Sequence, residues 1–156
     1  MVKLNDDAMQ RFVRDGYLIL KPGFSDEFNE SIRTKIDDVM EKYKNPGNNL
    51  LPHIPEIQDI FDHSTVNGAM ASILGDDYFV HPHRHCHLTP PGKAAQKSHK
   101  DSYEDDENVR HHRSRWAMAF YYPQDVDAEM GPTGIVGNRQ FYNQISDTAS
   151  TRDCHT

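Results

Sequence analysis

Gln96-Lys97-Ser98-His99-Lys100-Asp101 is the stretch on which the reading of the fold turns. It follows the loop Thr89-Pro90-Pro91-Gly92 and precedes the apolar run Arg115-Trp116-Ala117-Met118-Ala119-Phe120-Tyr121-Tyr122. In a β-strand alternate side chains share a face, so His99 and Asp101 point the same way and Lys100 points away. An imidazole nitrogen beside a carboxylate oxygen supplies two of the three groups in a 2-His-1-carboxylate facial triad. Such a triad holds Fe(II) and leaves coordination positions open. A solvated histidine two residues from a solvated aspartate satisfies the same pattern, and the tripeptide alone does not separate the two readings.

Working outward, a chain of 156 residues suits one domain and buries roughly two thirds of its unfolded surface. The net charge is -7, from 24 acidic and 17 basic residues. No Lys/Arg stripe is present, which argues against nucleic acid and anionic membrane as partners. Oligomeric state is not legible. The two cysteines, Cys86 and Cys154, lack C-x-x-C spacing, so a reducing compartment is expected in place of a disulfide framework. The start, Met1-Val2-Lys3-Leu4-Asn5-Asp6-Asp7, has no apolar signal-peptide core, and no run reaches transmembrane length. The expectation is a soluble cytoplasmic protein.

Met9, Phe12 and Val13 have helical spacing within residues 6–15, and Gly16 is placed to end that helix. Tyr17-Leu18-Ile19-Leu20 is a short strand candidate closed by Lys21-Pro22-Gly23. Ser25 is a good N-cap for a second helix with Asp26 and Glu27 in its first turn. Its apolar face is Phe28, Ile32, Ile36, Val39, Met40 and Tyr43, and Asn45-Pro46-Gly47-Asn48 ends it. A looser helical pattern runs from Glu56 to Leu74 and stops at Gly75. From there strand-like stretches alternate with Pro/Gly turns: 78–88, 94–103, 114–122 and 133–136. Helices first and strands afterwards predict an α+β domain, with 1–75 as helical support, 76–145 as the sheet region and 146–156 as a polar tail. The charged insert 104–113 reads as a solvated loop or as a lid beside a site.

The ordered set of motifs resembles the phytanoyl-CoA dioxygenase family of Fe(II)- and 2-oxoglutarate-dependent oxygenases. It runs from Phe12-Val13-Arg14-Asp15-Gly16-Tyr17-Leu18-Ile19-Leu20 through the helix after Phe24-Ser25-Asp26 and then Thr89-Pro90-Pro91-Gly92. His99-Lys100-Asp101, Trp116 to Tyr122, and Met130-Gly131-Pro132-Thr133 complete it, covering about residues 8–145. The resemblance implies N-terminal helices packed on a double-stranded β-helix, the jelly-roll barrel, incomplete in this chain. It implies His99 and Asp101 as iron ligands and Trp116 as a residue lining the 2-oxoglutarate pocket; a core tryptophan is the alternative for Trp116. It also implies Fe(II), 2-oxoglutarate and dioxygen as participants, with 2-oxoglutarate decarboxylated to succinate while a C–H bond of a small organic substrate is hydroxylated.

The chain departs from that pattern after Gly134-Ile135-Val136. A Pro-Gly-Ser-His type turn is usual in the family there, and this chain reads Gly137-Asn138-Arg139. The family's second ligating histidine and its carboxylate-binding arginine have no clear counterpart. His155, Arg152 and Arg139 are the weak nominees, because the tail 146–156 has no strand pattern. The expectation is therefore a fragment carrying about the first half of the barrel, which alone is catalytically inactive. Arg110, Arg113 and Arg115 are candidates for meeting an anionic substrate, and solvation accounts for them equally well.

A rival metal signal is His81-Pro82-His83-Arg84-His85-Cys86-His87, which holds four of the ten histidines. Extended, it sets the four imidazoles on one face about 7 Å apart, with Cys86 on the other. The alternative function is thus a non-catalytic zinc- or copper-binding module built on His81, His83, His85 and His87.

Overall fold

Asn5 and Gly16 bracket the first helix. The computed structural model describes residues 1–44, 46–82, 84–88, 90–97, 99, 114–138 and 154–155. Helix α1 spans Asp6–Asp15; the Asn5 side chain accepts from the Ala8 N–H at 2.9 Å. At its other end Gly16 adopts φ 84° and returns its N–H to the Phe12 carbonyl at 2.8 Å. A left-handed residue there costs glycine nothing, which is why the helix stops where the sequence predicts. Helix α2, Asp26–Tyr43, starts on the Ser25 hydroxyl, which accepts from the Phe28 N–H at 3.2 Å. Caps of this kind each contribute about 1 kcal/mol.

Two compact units form. The first comprises Met1–Leu4, Leu20–Leu88 and Arg115–Asp125; the second comprises Asn5–Ile19, Thr89–Ser114 and Val126–Thr156. The core of the first unit is built on the predicted face of α2. Ile32 and Val39 are buried with Leu50 and Ile54, and Phe28, Ile36, Ile57, Cys86 and Tyr121 pack around them. Burying each of these aliphatic side chains contributes about 1.5–3 kcal/mol. Tyr43, at the end of that face, is exposed and stacks on the His53 ring at 4.4 Å.

The single helix predicted over 56–74 is two helices, α3 (Ile57–Asp62) and α4 (Ser64–Leu74). His63 breaks them apart with ψ 133°, and its Nδ1 accepts from the Thr65 N–H at 3.3 Å. An extended residue whose own side chain caps the next turn starts a new helix, and the apolar periodicity carries on through the break.

Strand content is lower than the sequence predicts. Among the described residues the one β-ladder joins β1 (Ile135–Val136) to β2 (Cys154–His155), antiparallel, with Ile135 opposite His155 and Val136 opposite Cys154. The tail expected to lack strand thus supplies one. The candidate at Tyr17–Leu20 forms no ladder, and Ile19 is exposed. Stretches 78–88 and 114–122 form none among their described residues, nor do the described parts of 94–103. Alternating apolar sequence makes a strand only when another strand lies about 4.8 Å away to take its backbone groups, and sequence pattern does not supply that neighbour. The helices of the α+β expectation are therefore present, and no barrel is formed among the described residues. After Gly75 the described residues contain one 3₁₀ turn, Ala128–Met130, capped by Asp127. Beyond β1, Asn138 at φ 62° donates its N–H to the Asp15 carbonyl at 3.0 Å, satisfying one of the orphan carbonyls at the end of α1.

Candidate functional site

His99 belongs to the second unit, and its imidazole is exposed. Nδ1 lies 2.8 Å from the carbonyl oxygen of Lys97, two residues earlier. A carbonyl can only accept, so Nδ1 carries the proton and the neutral ring has its lone pair on Nε2. That is the tautomer in which a histidine ligates a metal, and a backbone carbonyl on the other nitrogen is the common way of fixing it. Sequence reasoning missed this contact, because it depends on a local turn of the backbone and no residue type announces it. Asp101, the carboxylate partner, lies outside the described residues.

The first unit contains the other two candidate features. Trp116 is 46% exposed and its alternate neighbours Met118, Phe120 and Tyr122 are exposed too, whereas Tyr121 turns inward onto the core. Trp116 is therefore not a core tryptophan. The His81 ring meets it edge-on, with centroids 5.5 Å apart and planes at 80°. Two motifs that the sequence presented separately are thus joined. The shared signal was their strand-like setting.

The His85 and His87 rings lie side by side, centroids 5.0 Å apart and planes at 54°. Both are exposed, and the intervening Cys86 is half-buried against the core. Burial, and then the nearby Asp37 carboxylate, push the Cys86 thiol above its ordinary range, so it stays protonated at neutral pH. His83 lies outside the described residues. Among the described residues no group of three or more His, Cys, Asp or Glu side chains is placed to hold a metal ion.

Of the remaining nominees, Arg115 is exposed, and Arg110, Arg113, Arg139, Arg152 and the insert 104–113 lie outside the described residues. The backbone of His155 is held in β2. An open groove of about 540 Å³ runs along α2, lined by Glu27, Glu30, Ser31, Thr34, Lys35 and Asp38. It contains none of the sequence-predicted site residues and is the solvated face of the helix.

No family model, curated protein or solved structure matches the chain. No helix among the described residues is long and apolar enough to cross a membrane.

Proposed function

We propose that the chain supplies two of the protein iron ligands of a non-haem Fe(II)- and 2-oxoglutarate-dependent dioxygenase that hydroxylates a small organic substrate. The observation that carries this is the 2.8 Å contact between His99 Nδ1 and the Lys97 carbonyl, which presents Nε2 in the ligating tautomer. The ordered family-like motifs, His99-Lys100-Asp101 among them, add to it. In this reading His99 and Asp101 hold the iron. The double-stranded β-helix is part of the same proposal, with the β1–β2 ladder as a piece of it.

Bound Fe(II) with 2-oxoglutarate supplies the oxidising step. The chain's contribution is to orient and hold. The Lys97 carbonyl keeps the His99 ring from rotating and raises the basicity of Nε2, and the Asp101 carboxylate offsets the charge of a divalent ion.

Two protein ligands are assigned, so binding and not turnover is the readout. Anaerobic Fe(II) affinity, measured by competition with a chromophoric chelator, is expected to fall at least about tenfold in His99→Ala and in Asp101→Ala. Added 2-oxoglutarate is expected to give a visible charge-transfer band in the parent chain and not in either variant. Equal Fe(II) affinity in all three proteins overturns the reading.

A further inference from the structure

We propose that His85 and His87 form a two-point chelating site for a borderline divalent transition-metal ion of the zinc type, separate from the iron ligands assigned above. Three observations carry it. Cys86 is packed against Ile32, Val39, Leu50 and Ile54, and this anchors the segment from its inner side. In a chain whose side chains alternate, an inward Cys86 sends both neighbours outward together. Both imidazoles are accordingly exposed, and their centroids are 5.0 Å apart.

That separation is the one a shared ion requires. A zinc–nitrogen bond of about 2.1 Å, extended roughly 1.1 Å to each ring centre, puts two imidazoles at a near-tetrahedral angle about 5 Å apart between centroids. Freely extended strand neighbours are spaced about 7 Å apart, so the pair is already drawn together. A pair held in advance loses less side-chain freedom when it binds. Water fills the remaining positions, which makes the site an open one and not a closed structural site.

The test is Zn(II) titration of the full chain against a chromophoric chelator, with His85→Ala, His87→Ala, the double variant, Cys86→Ser and His99→Ala. Because one ion spans both rings, each single variant is expected to lose at least tenfold in affinity at the tightest site, and the double variant little more than either single. Cys86→Ser and His99→Ala are expected to stay within threefold of the parent. Both histidines are exposed, so far-UV circular dichroism is expected to be unchanged in their variants. Independent, additive losses in the two singles overturn the chelate, as does parental affinity in the double variant. A loss in Cys86→Ser as large as that in the histidine variants assigns the sulfur as a ligand and overturns the proposed pair. A loss confined to His99→Ala overturns it too, by placing the zinc at the proposed iron ligands.

Discussion

The Tyr121 phenol donates a 2.6 Å hydrogen bond to Oδ1 of Asn29, joining residues 92 positions apart in the chain. Phe24 meets the Tyr121 ring edge-on at 5.9 Å and stacks on Phe28 at 4.9 Å, so the bond sits in an aromatic cluster on α2. Burial raises the phenol above its ordinary range, and Tyr121 remains a donor at any neutral pH. The bond ties Arg115–Asp125 to the core of the first unit. Tyr121→Phe is expected to cost about 1 kcal/mol, and Asn29→Ala somewhat more, since it leaves a partly buried hydroxyl without its acceptor. Urea denaturation of both singles and the double is the measurement. Strict additivity would show that the bond contributes nothing to folding.

Ile54 is 0% exposed and Ile32 1%, the two most deeply buried large side chains among the described residues. Ile54 sits between the turn at residues 51–53 and α3, where the backbone has little freedom to collapse into a void. Ile54→Ala is expected to destabilise by about 2–5 kcal/mol and Ile54→Val by about 0.5–1.5 kcal/mol. A cost below that of the valine variant in the alanine variant would mean that the site is not packed as described. Thermal and urea unfolding each provide the comparison.

What the sequence made legible follows from how local each signal was. The span of α1, the cap of α2 and the buried set Ile32, Val39 and Met40 were readable because capping and 3.6-residue periodicity act within one helix. The break at His63 was not, since an imidazole serving as an N-cap leaves the apolar pattern of 56–74 intact. Strands at 114–122 and over the described residues of 78–88 were over-predicted because alternation reports which side is apolar, not whether another strand is near. Trp116, Met118, Phe120 and Tyr122 fall at alternate positions and are all exposed. For the site, the residue types at His99, His85 and His87 were visible. The Lys97 carbonyl on His99 and the closeness of the two imidazoles needed coordinates.

Lys35 Nζ pairs with Glu56 Oε1 and, together with a backbone N–H, holds the Glu56 carboxyl below the usual glutamate range. A carboxylate whose pKa is depressed by folding stabilises the fold above its unfolded pKa and loses that contribution as pH falls through the folded value. The parent is therefore expected to be more stable than Glu56→Gln at neutral pH, with the gap closing as pH drops below about 4.3. Both side chains are more than a third exposed, so the gap is expected to be small and to shrink with added salt. Urea midpoints at a series of pH values test this, and a gap that stays constant through the acid range would rule out the ion pair as its source.

Gly68 lies where α4 meets the N-terminal segment. The Val2 N–H donates to the Ser64 carbonyl at 3.0 Å and the Leu4 N–H to the Ser72 hydroxyl at 2.9 Å, so residues 1–4 run along the helix. A methyl group on Gly68 would overlap the Val2 carbonyl oxygen, which is backbone and cannot swing aside. In an open helix, Gly→Ala gains about 1 kcal/mol. Here that gain opposes the loss of two docking hydrogen bonds, each worth about 0.5–1.5 kcal/mol net. Gly68→Ala in the full chain is thus expected to be neutral or destabilising and to speed amide exchange at Leu4. With residues 1–4 deleted, the opposing effect disappears and the same substitution is expected to stabilise by the full helical gain. A full gain in the intact chain, with Leu4 still protected, would show that the segment does not pack on Gly68.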